Sequence, residues 1–233
     1  MKRAFEAGFE ELSGIVPATI GVAIAAADGA SVASFGTWST GVAWSTIKVP
    51  LAIAALRAGS DRHDLVTKAI AQSDNAGAEE LWSQLGDPAE AATKVQAIIH
   101  DVGDTATVVE SRRLRPGYTA FGQTQWSLAR QAQFAARLPC VPDASPVVDL
   151  MHNIAGDQRW GLASKGFAAK GGWGPGIRGD YLVRQFAIVP TESGHLGVAL
   201  AAEAPDGEFE TGVDVVNKLA DWLVSHLCEL TED

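Results

Sequence analysis

The serine and the lysine of the stretch STIK, residues 45–48, have types and a spacing that suit covalent catalysis. A serine hydroxyl becomes a good nucleophile only when a neighbouring base takes its proton. On a helix, Lys48 returns to the same face as Ser45, and a buried lysine can act as that base when desolvation lowers its pKa. An alternative stays open at this point, in which Ser45 only caps a core helix over residues 45–58.

Two further short motifs contain side chains that such a pair would need around it. The tripeptide SDN at 73–75 interrupts a mainly helical region, and KGG at 170–172 precedes a tryptophan at the start of the late strands. In the simplest interpretation, Asp74 or Asn75 caps the next helix, and Lys170 is a solvated lysine before a flexible turn. Each motif alone is weak, but the three in this order are a much stronger signal.

This set of motifs resembles that of the serine β-lactamases and penicillin-binding proteins, and the class A β-lactamases in particular. Longer segments are similar to that family as well, namely residues 65–104 around SDN, residues 122–138 and residues 167–189. Together with a hairpin and the terminal helices, the resemblance covers most of the chain. It implies a fold with an antiparallel sheet, flanking terminal helices and a helical lobe.

The resemblance also implies a role for each of four catalytic residues. Ser45 would attack a carbonyl carbon and become acylated, with Lys48 as its base or proton relay. Ser73 would pass a proton to the leaving nitrogen. Lys170 would lend positive charge to the site from the opposite strand.

The residues that the resemblance assigns to substrate binding lie in the same motifs. Asn75 would bond both Lys48 and the amide of the substrate. The backbone N–H groups of Ser45 and Trp173 would form an oxyanion hole. Gly172 would let the substrate lie close to its strand, since a side chain there would block it.

The sequence departs from the family pattern at the residue between Lys170 and Gly172. The family has a threonine or serine there, whose hydroxyl helps to bind the carboxylate of the substrate, whereas this chain has Gly171. Arg178 or Arg184 is a candidate replacement, and Arg184 is predicted to bind substrate because it lies on the following strand. A solvated or salt-bridged arginine is the alternative interpretation.

A second departure concerns release of the acyl group. Class A enzymes use a glutamate in an Ω-shaped loop to activate water, but the only acid in residues 105–124 is Glu110, which falls a few positions early. Arg112, Arg113 and Arg115 follow it, so a surface ion pair is the competing interpretation of Glu110. The sequence therefore predicts impaired deacylation.

Elements predicted from the sequence form an α+β fold. Asp28-Gly29 between two β-prone runs predicts a hairpin, and three more strands follow Gly166. Together these strands predict a five-stranded antiparallel sheet with the terminal helices on one face. We expect residues 1–42 and 160–233 to form the lobe that contains this sheet, and residues 43–159 to form a helical lobe, with the active site between them.

Composition restricts the partners. The net charge of −10 disfavours nucleic acid and anionic membranes, so we expect a small-molecule or peptide substrate. We expect no metal and no cofactor, because the five histidines are scattered without paired spacing, and we expect a monomer. The resemblance implies export to the cell envelope, although the first residues do not read as a signal peptide.

Two functions remain open from the sequence. The first is a β-lactamase-like serine hydrolase that forms an acyl-enzyme with β-lactam, peptidoglycan-peptide or ester substrates. The second is a catalytically silent relative that keeps the fold as a binding protein of the cell envelope, which Gly171 and the missing loop glutamate favour.

Overall fold

An antiparallel sheet of five strands forms the centre of the protein in a computed structural model, which describes residues 2–59 and 62–228. The order in this sheet is β2-β1-β7-β6-β5, with every neighbouring pair antiparallel, and β3 and β4 pair separately. Along the chain the strands are β1 (Thr19–Ala26), β2 (Val32–Gly36), β3 (Thr40–Val42), β4 (Gln125–Ser127), β5 (Ala168–Pro175), β6 (Tyr181–Thr191) and β7 (Gly194–Ala204). The strand that contains Lys170 is therefore an edge strand.

The first and last helices cover one face of the sheet. Phe5 and Phe9 of α1 pack on Trp222 of α8, with ring centroids 4.4 and 5.4 Å apart. Both helices bury an apolar stripe against β-strand residues, as their helical spacing predicts. The helices are α1 (Lys2–Ile15), α2 (Lys48–Ala58), α3 (His63–Ala71), α4 (Asn75–Ser83), α5 (Pro88–Asp101), α6 (Leu128–Arg137), α7 (Ser145–His152) and α8 (Phe209–Ser225).

The other helices build a second core on the opposite side. Helix α6 packs on β7 and β1, and its Phe134 meets Phe186 of β6 with ring centroids 5.7 Å apart. Helix α2 lies at the centre of this core, with residues 48–55 all buried, and α3, α4 and α5 pack around it. A helix buried on all sides is apolar all round, as residues 49–56 of α2 are.

The predicted α+β fold is confirmed, including the five-stranded antiparallel sheet and the Asp28-Gly29 hairpin. The predicted helix over residues 45–58 differs at its start. A 3₁₀ turn spans Trp44–Ile47, and the α-helix begins only at Lys48. Pro50 explains the difference, because a proline lacks the N–H that a helix interior needs and is tolerated in the first turn.

The division into two lobes at residues 43 and 160 stays a prediction. Helix α6 lies between these boundaries in sequence and nevertheless packs on the sheet. None of the described helices combines the length and the apolar character that crossing a bilayer requires.

Candidate active site

The 3₁₀ turn of Trp44–Ile47 presents Ser45 at the junction of the helices and the sheet. Residues three apart in a 3₁₀ turn lie one above the other, so Ser45 and Lys48 share a side. Trp44, directly before the serine, has a φ of 50°, a left-handed conformation that costs a bulky residue about 1–3 kcal/mol. Surrounding packing must hold this turn in place, and Trp44 is indeed buried.

The edge strand β5 lies directly against this turn because of Gly172. A Cβ atom at this position would lie 2.8 Å from both the carbonyl oxygen of Ala43 and the backbone nitrogen of Ser45. Only glycine therefore allows so close an approach of the strand. The sequence predicted glycine here as room for a substrate, whereas the structure places the missing side chain against the backbone of the serine turn.

Lys48 is 1 % exposed and is held by two acceptors from the SDN motif. Its Nζ donates to the carbonyl oxygen of Ser73 at 2.6 Å and to Oδ1 of Asn75 at 2.7 Å. Burial lowers the pKa of Lys48 to about 7, and the charge of Asp74 opposes that change. Near neutral pH, Lys48 can therefore release and take up a proton.

The SDN motif both begins a helix and supplies side chains to the cluster. Asp74 caps α4 through Oδ2, which accepts from the N–H of Gly77 at 2.5 Å. Ser73 adopts a φ of 53°, and its Oγ lies 3.4 Å from Nζ of Lys48. The capping interpretation of this motif thus coexists with the contacts that Ser73 and Asn75 make to the lysine.

Lys170 completes the cluster from β5. Its side chain is fully buried, and its Nζ donates to Oγ of Ser73 at 2.8 Å and to the carbonyl oxygen of Gly171 at 3.0 Å. Burial, with a contribution from the charge of Lys48, holds the pKa of Lys170 well below its ordinary value. The structure thus joins two buried amines through the hydroxyl of one serine.

A cavity of about 330 Å³ lies in front of this cluster. Ser45, Lys48, Ser73, Asn75 and Trp173, all predicted from the motifs, line it. The remaining lining comes from Trp44, Gly117, Tyr118, Thr119, Gly174, Pro175 and Tyr181. Sequence reasoning missed Tyr118 and Tyr181, since neither belongs to a motif and only the folded chain brings them to the serine.

A tryptophan ring fills the space beside Gly171. A Cβ atom built on this glycine would lie 2.6 Å from the ring of Trp160. The family's threonine would therefore not fit here unless Trp160 moved. A side chain with a hydroxyl at residue 171 and the ring of Trp160 in its present position therefore exclude each other.

The structure does not bring Arg184 to the cavity. Its side chain is fully buried, and its guanidinium donates to backbone oxygens of Gly41, Val42 and Trp126 and to Oε1 of Gln131. Its Nε is buried without a hydrogen-bond partner among the described residues, and Arg184 is not part of the cavity lining. Arg184 therefore joins β6 to β3 and α6, and its role in substrate binding stays a prediction that the cavity lining does not support.

Glu110 also lies outside the cavity lining. Its carboxylate accepts from Nε of Arg112 at 3.0 Å and from the N–H of the same residue at 2.8 Å. These bonds hold the pKa of Glu110 below its ordinary value. Within residues 2–59 and 62–228, no acidic side chain lines the cavity, and no group of histidine, cysteine and acidic residues is placed to hold a metal ion.

Comparison with solved structures identifies the fold. The chain is similar to the TLA-3 extended-spectrum β-lactamase, with 12 % identity, coverage of 97 % of this chain and 99 % of that one, and a TM-score of 0.79. It is similar to a β-lactamase from Chitinophaga pinensis, with 15 % identity, coverage of 96 % and 99 %, and a TM-score of 0.77.

A third structure gives the same result. For the class A β-lactamase from Mycobacterium abscessus, identity is 14 %, coverage is 96 % of this chain and 99 % of that chain, and the TM-score is 0.75. No protein-family model matches the sequence, and no curated protein matches it. Near-complete coverage of both chains shows that the protein has the serine β-lactamase fold.

Proposed function

We propose, starting from the serine β-lactamase fold, that this protein is a serine hydrolase that forms an acyl-enzyme at Ser45. One observation carries the proposal. Lys48 is a buried amine with a pKa of about 7, held by two acceptors and lining the same cavity as Ser45. Strongly shifted pKa values in a cavity are typical of catalytic groups.

Lys48 is suited to take the proton of Ser45. A neutral amine has two N–H donors and one lone pair, and here the donors are directed to Ser73 O and Asn75 Oδ1. The lone pair therefore remains as an acceptor. Because the pKa of Lys48 is about 7, a large fraction of the amine is neutral at physiological pH.

Acylation then proceeds by a closed proton relay. Oγ of Ser45 bonds to the carbonyl carbon of the substrate, and its proton passes to Lys48. When the bond to the leaving group breaks, Ser73 gives that group a proton and takes one from Lys48, whose Nζ is 3.4 Å away. The donor bond from Lys170 orients the Ser73 hydroxyl. The net result is that one proton moves from Ser45, through Lys48 and Ser73, to the leaving group.

The backbone N–H groups of Ser45 and Trp173 are the proposed donors to the oxyanion of the intermediate. Support comes from β5, which lies so close to the serine turn that only glycine fits at residue 172. This contact places Ser45 and Trp173 on the same cavity. Losing one such donor typically costs about a hundredfold or more in rate.

Water must then release the acyl group, and Lys48 is the proposed base for that step too. No acidic side chain lines the cavity in the described parts of the chain, and Glu110 is bonded to Arg112. The acyl-enzyme should therefore be longer-lived than one attacked by a carboxylate-activated water. The proposal therefore keeps the sequence-based prediction that deacylation is impaired.

Kinetics with matched serine variants test the proposal. We expect wild-type protein to release nitrophenol from nitrophenyl esters, and Ser45→Ala to lose about a thousandfold or more of kcat/KM. Ser164→Ala is the control, because Ser164 is exposed and bonds only the nearby carbonyl oxygen of Gly161. Equal rates for wild type and Ser45→Ala would contradict the proposal.

A silent binding protein of the same fold is the second candidate, favoured by the ion pair that holds Glu110 away from the cavity. It predicts no covalent adduct on the wild-type protein with any nitrophenyl ester or β-lactam. It also predicts equal ligand affinity for wild type and Ser45→Ala in calorimetry.

A further inference from the structure

The positive groups nearest the cavity are already bonded within the protein. Lys48 donates to Ser73 and Asn75, and it is the only basic side chain that lines the cavity in the described ranges. Lys170 is fully buried behind Ser73 and donates to that hydroxyl and to Gly171. A substrate carboxylate thus finds no free ammonium group at this surface.

Three neighbouring arginines make contacts within the protein and lie outside the cavity lining. Arg184 is buried on β6, where it bonds carbonyl oxygens of Gly41, Val42 and Trp126. Arg115 donates to the carbonyl oxygen of Pro175 at 2.8 Å, and its guanidinium stacks 4.5 Å from the ring centre of Tyr118. Arg178 is 3.7 Å from Glu203, and both Arg178 and Arg115 line a neighbouring cavity of about 420 Å³, which shares Trp44, Gly174 and Pro175 with the cavity in front of Ser45. None of the three lines the cavity in front of Ser45.

The edge of β5 beside Ser45 also lacks uncharged side-chain donors for a carboxylate. Gly171 offers no hydroxyl, and the ring of Trp160 fills the position that a side chain there would take. The strand edge beside Ser45 therefore presents no side-chain donor at residue 171 or 172. A carboxylate at this part of the strand would lose water without gaining a side-chain donor from residue 171 or 172, which is unfavourable.

Aromatic rings form much of the cavity wall instead. Trp44, Tyr118, Trp173 and Tyr181 all line it, and the rings of Trp44 and Tyr118 pack edge to face at 5.2 Å. The faces of these rings can pack on an apolar or aromatic acyl group, while Ser45, Lys48, Ser73, Asn75 and Thr119 supply polar groups to the rest of the lining. The net charge of −10 adds a general repulsion against anions.

We infer that the cavity selects uncharged carboxylic esters with an apolar or aromatic acyl group and discriminates against substrates that carry a carboxylate. The inference rests on the proposed acylation of Ser45. In the reaction, the ester C–O bond breaks as the Ser45 Oγ–acyl bond forms, and the alcohol leaves with one proton. Water then cleaves the acyl-serine bond and gives the free acid.

Two matched pairs of compounds test the selection. One pair is the p-nitrophenyl ester of 4-methoxycarbonylbenzoic acid and the mono-p-nitrophenyl ester of terephthalic acid, which differ by one methyl group and in which the rigid ring keeps the carboxylate away from the reacting ester. The other is benzylpenicillin and its methyl ester, with acylation followed by intact-mass spectrometry. After division by the uncatalysed hydrolysis rate, we expect the neutral member of each pair to acylate the protein at least about tenfold faster. Equal or faster reaction of both carboxylates would overturn the inference.

A matched pair of variants tests the charge argument directly. Thr119 lines the cavity and accepts a bond from the N–H of Gly122. Thr119→Lys and Thr119→Met both lose that bond, but only the lysine adds a cation. We expect the lysine variant to raise the relative rate of the terephthalic ester about fivefold over the methionine variant. Equal selectivity of the two folded variants would contradict the charge argument. The comparison of substrates on the wild-type protein stands even if neither variant folds.

The outcomes separate this inference from the proposed function. If a Ser45 adduct forms faster with the carboxylate members, Ser45 is still the nucleophile but the inferred selection against carboxylates is wrong. Absence of an adduct with every member of both pairs removes the proposed function and the selection together.

Discussion

The two sides of the cavity differ in how they are built. On one side, Lys48, Ser73 and Lys170 form a closed set of hydrogen bonds between buried polar groups. On the other, Trp44, Tyr118, Trp173 and Tyr181 present rings, and no acidic side chain lines the cavity in the described ranges. The difference teaches that one cavity combines bonded polar side chains, to which we assign proton transfer, with aromatic rings, to which we assign recognition. The predictions below test each side separately.

The largest effect is expected from Lys48→Met. This change removes the base and leaves its two acceptors without a donor, so we expect esterase kcat/KM to fall by about a thousandfold, within the range of general-base losses. Thr93→Val, on the exposed face of α5, is the control and should retain full activity. Activity in Lys48→Met within tenfold of wild type would exclude Lys48 as the base.

A somewhat smaller loss is expected from Gly172→Ala. Its Cβ would lie 2.8 Å from backbone atoms of Ala43 and Ser45, so β5 must move away from the serine turn. We expect about a hundredfold loss of acylation rate, together with a lower melting temperature. Gly156→Ala is the matched control, because a Cβ there meets no atom within 4 Å. Equal behaviour of the two variants would show that the close approach is unimportant.

The acylation rate should rise about tenfold per pH unit below neutrality and level off above pH 7. The reason is that Lys48 has a pKa of about 7 and accepts a proton only when neutral. Pre-steady-state nitrophenol release between pH 5 and 9 measures this profile. A rate that falls as pH rises through this range would contradict the assignment.

The lowered pKa of Lys48 also makes the free energy of unfolding depend on pH. Lys48 in the unfolded chain stays protonated up to its ordinary pKa of 10.5, whereas the folded form loses its proton near pH 7. The unfolded state therefore binds more protons between these values, and the free energy of unfolding rises with pH. Urea denaturation of wild type and Lys48→Met should show the steeper rise in wild type. A steeper rise in the variant would contradict the shift.

The smallest effect is expected from Glu110→Gln. The Glu110 carboxylate is bonded to Arg112 and lies outside the cavity lining, so kcat should change by less than about twofold. Steady-state turnover of the neutral ester is the measurement. A loss of a hundredfold in deacylation alone would mean that this carboxylate reaches the acyl-enzyme.

The elements of the fold were largely predictable from the sequence because their signals are local, whereas the cluster of polar residues was predicted from the resemblance of three short motifs to a known family. Strands, hairpin and terminal helices follow from periodicity and turn residues, and short motifs carry Ser45, Lys48, Ser73 and Lys170. The start of α2 was misplaced, although Pro50 contained the information. Local patterns therefore sufficed wherever neighbouring residues decide the structure.

The recognition side was not predictable, because it depends on contacts between distant residues. Trp160 meets Gly171 only in the folded chain, and Tyr118 reaches Ser45 from an irregular segment without a motif. Arg184 was predicted to bind substrate from its strand alone. It lies opposite Gly172 in the sheet, but its guanidinium is bonded to backbone carbonyls of β3 and β4 and does not line the cavity. Such assignments need the register and the packing, which no single segment contains.

The central claim, that Ser45 is the nucleophile, is tested most directly by locating the acyl group. Wild-type protein is mixed with p-nitrophenyl butyrate, quenched in acid within seconds, digested and sequenced by tandem mass spectrometry. The account predicts one butyryl group on Ser45, absent from Ser45→Ala and present in Ser164→Ala. A butyryl group on another residue, or none on wild type, would contradict it.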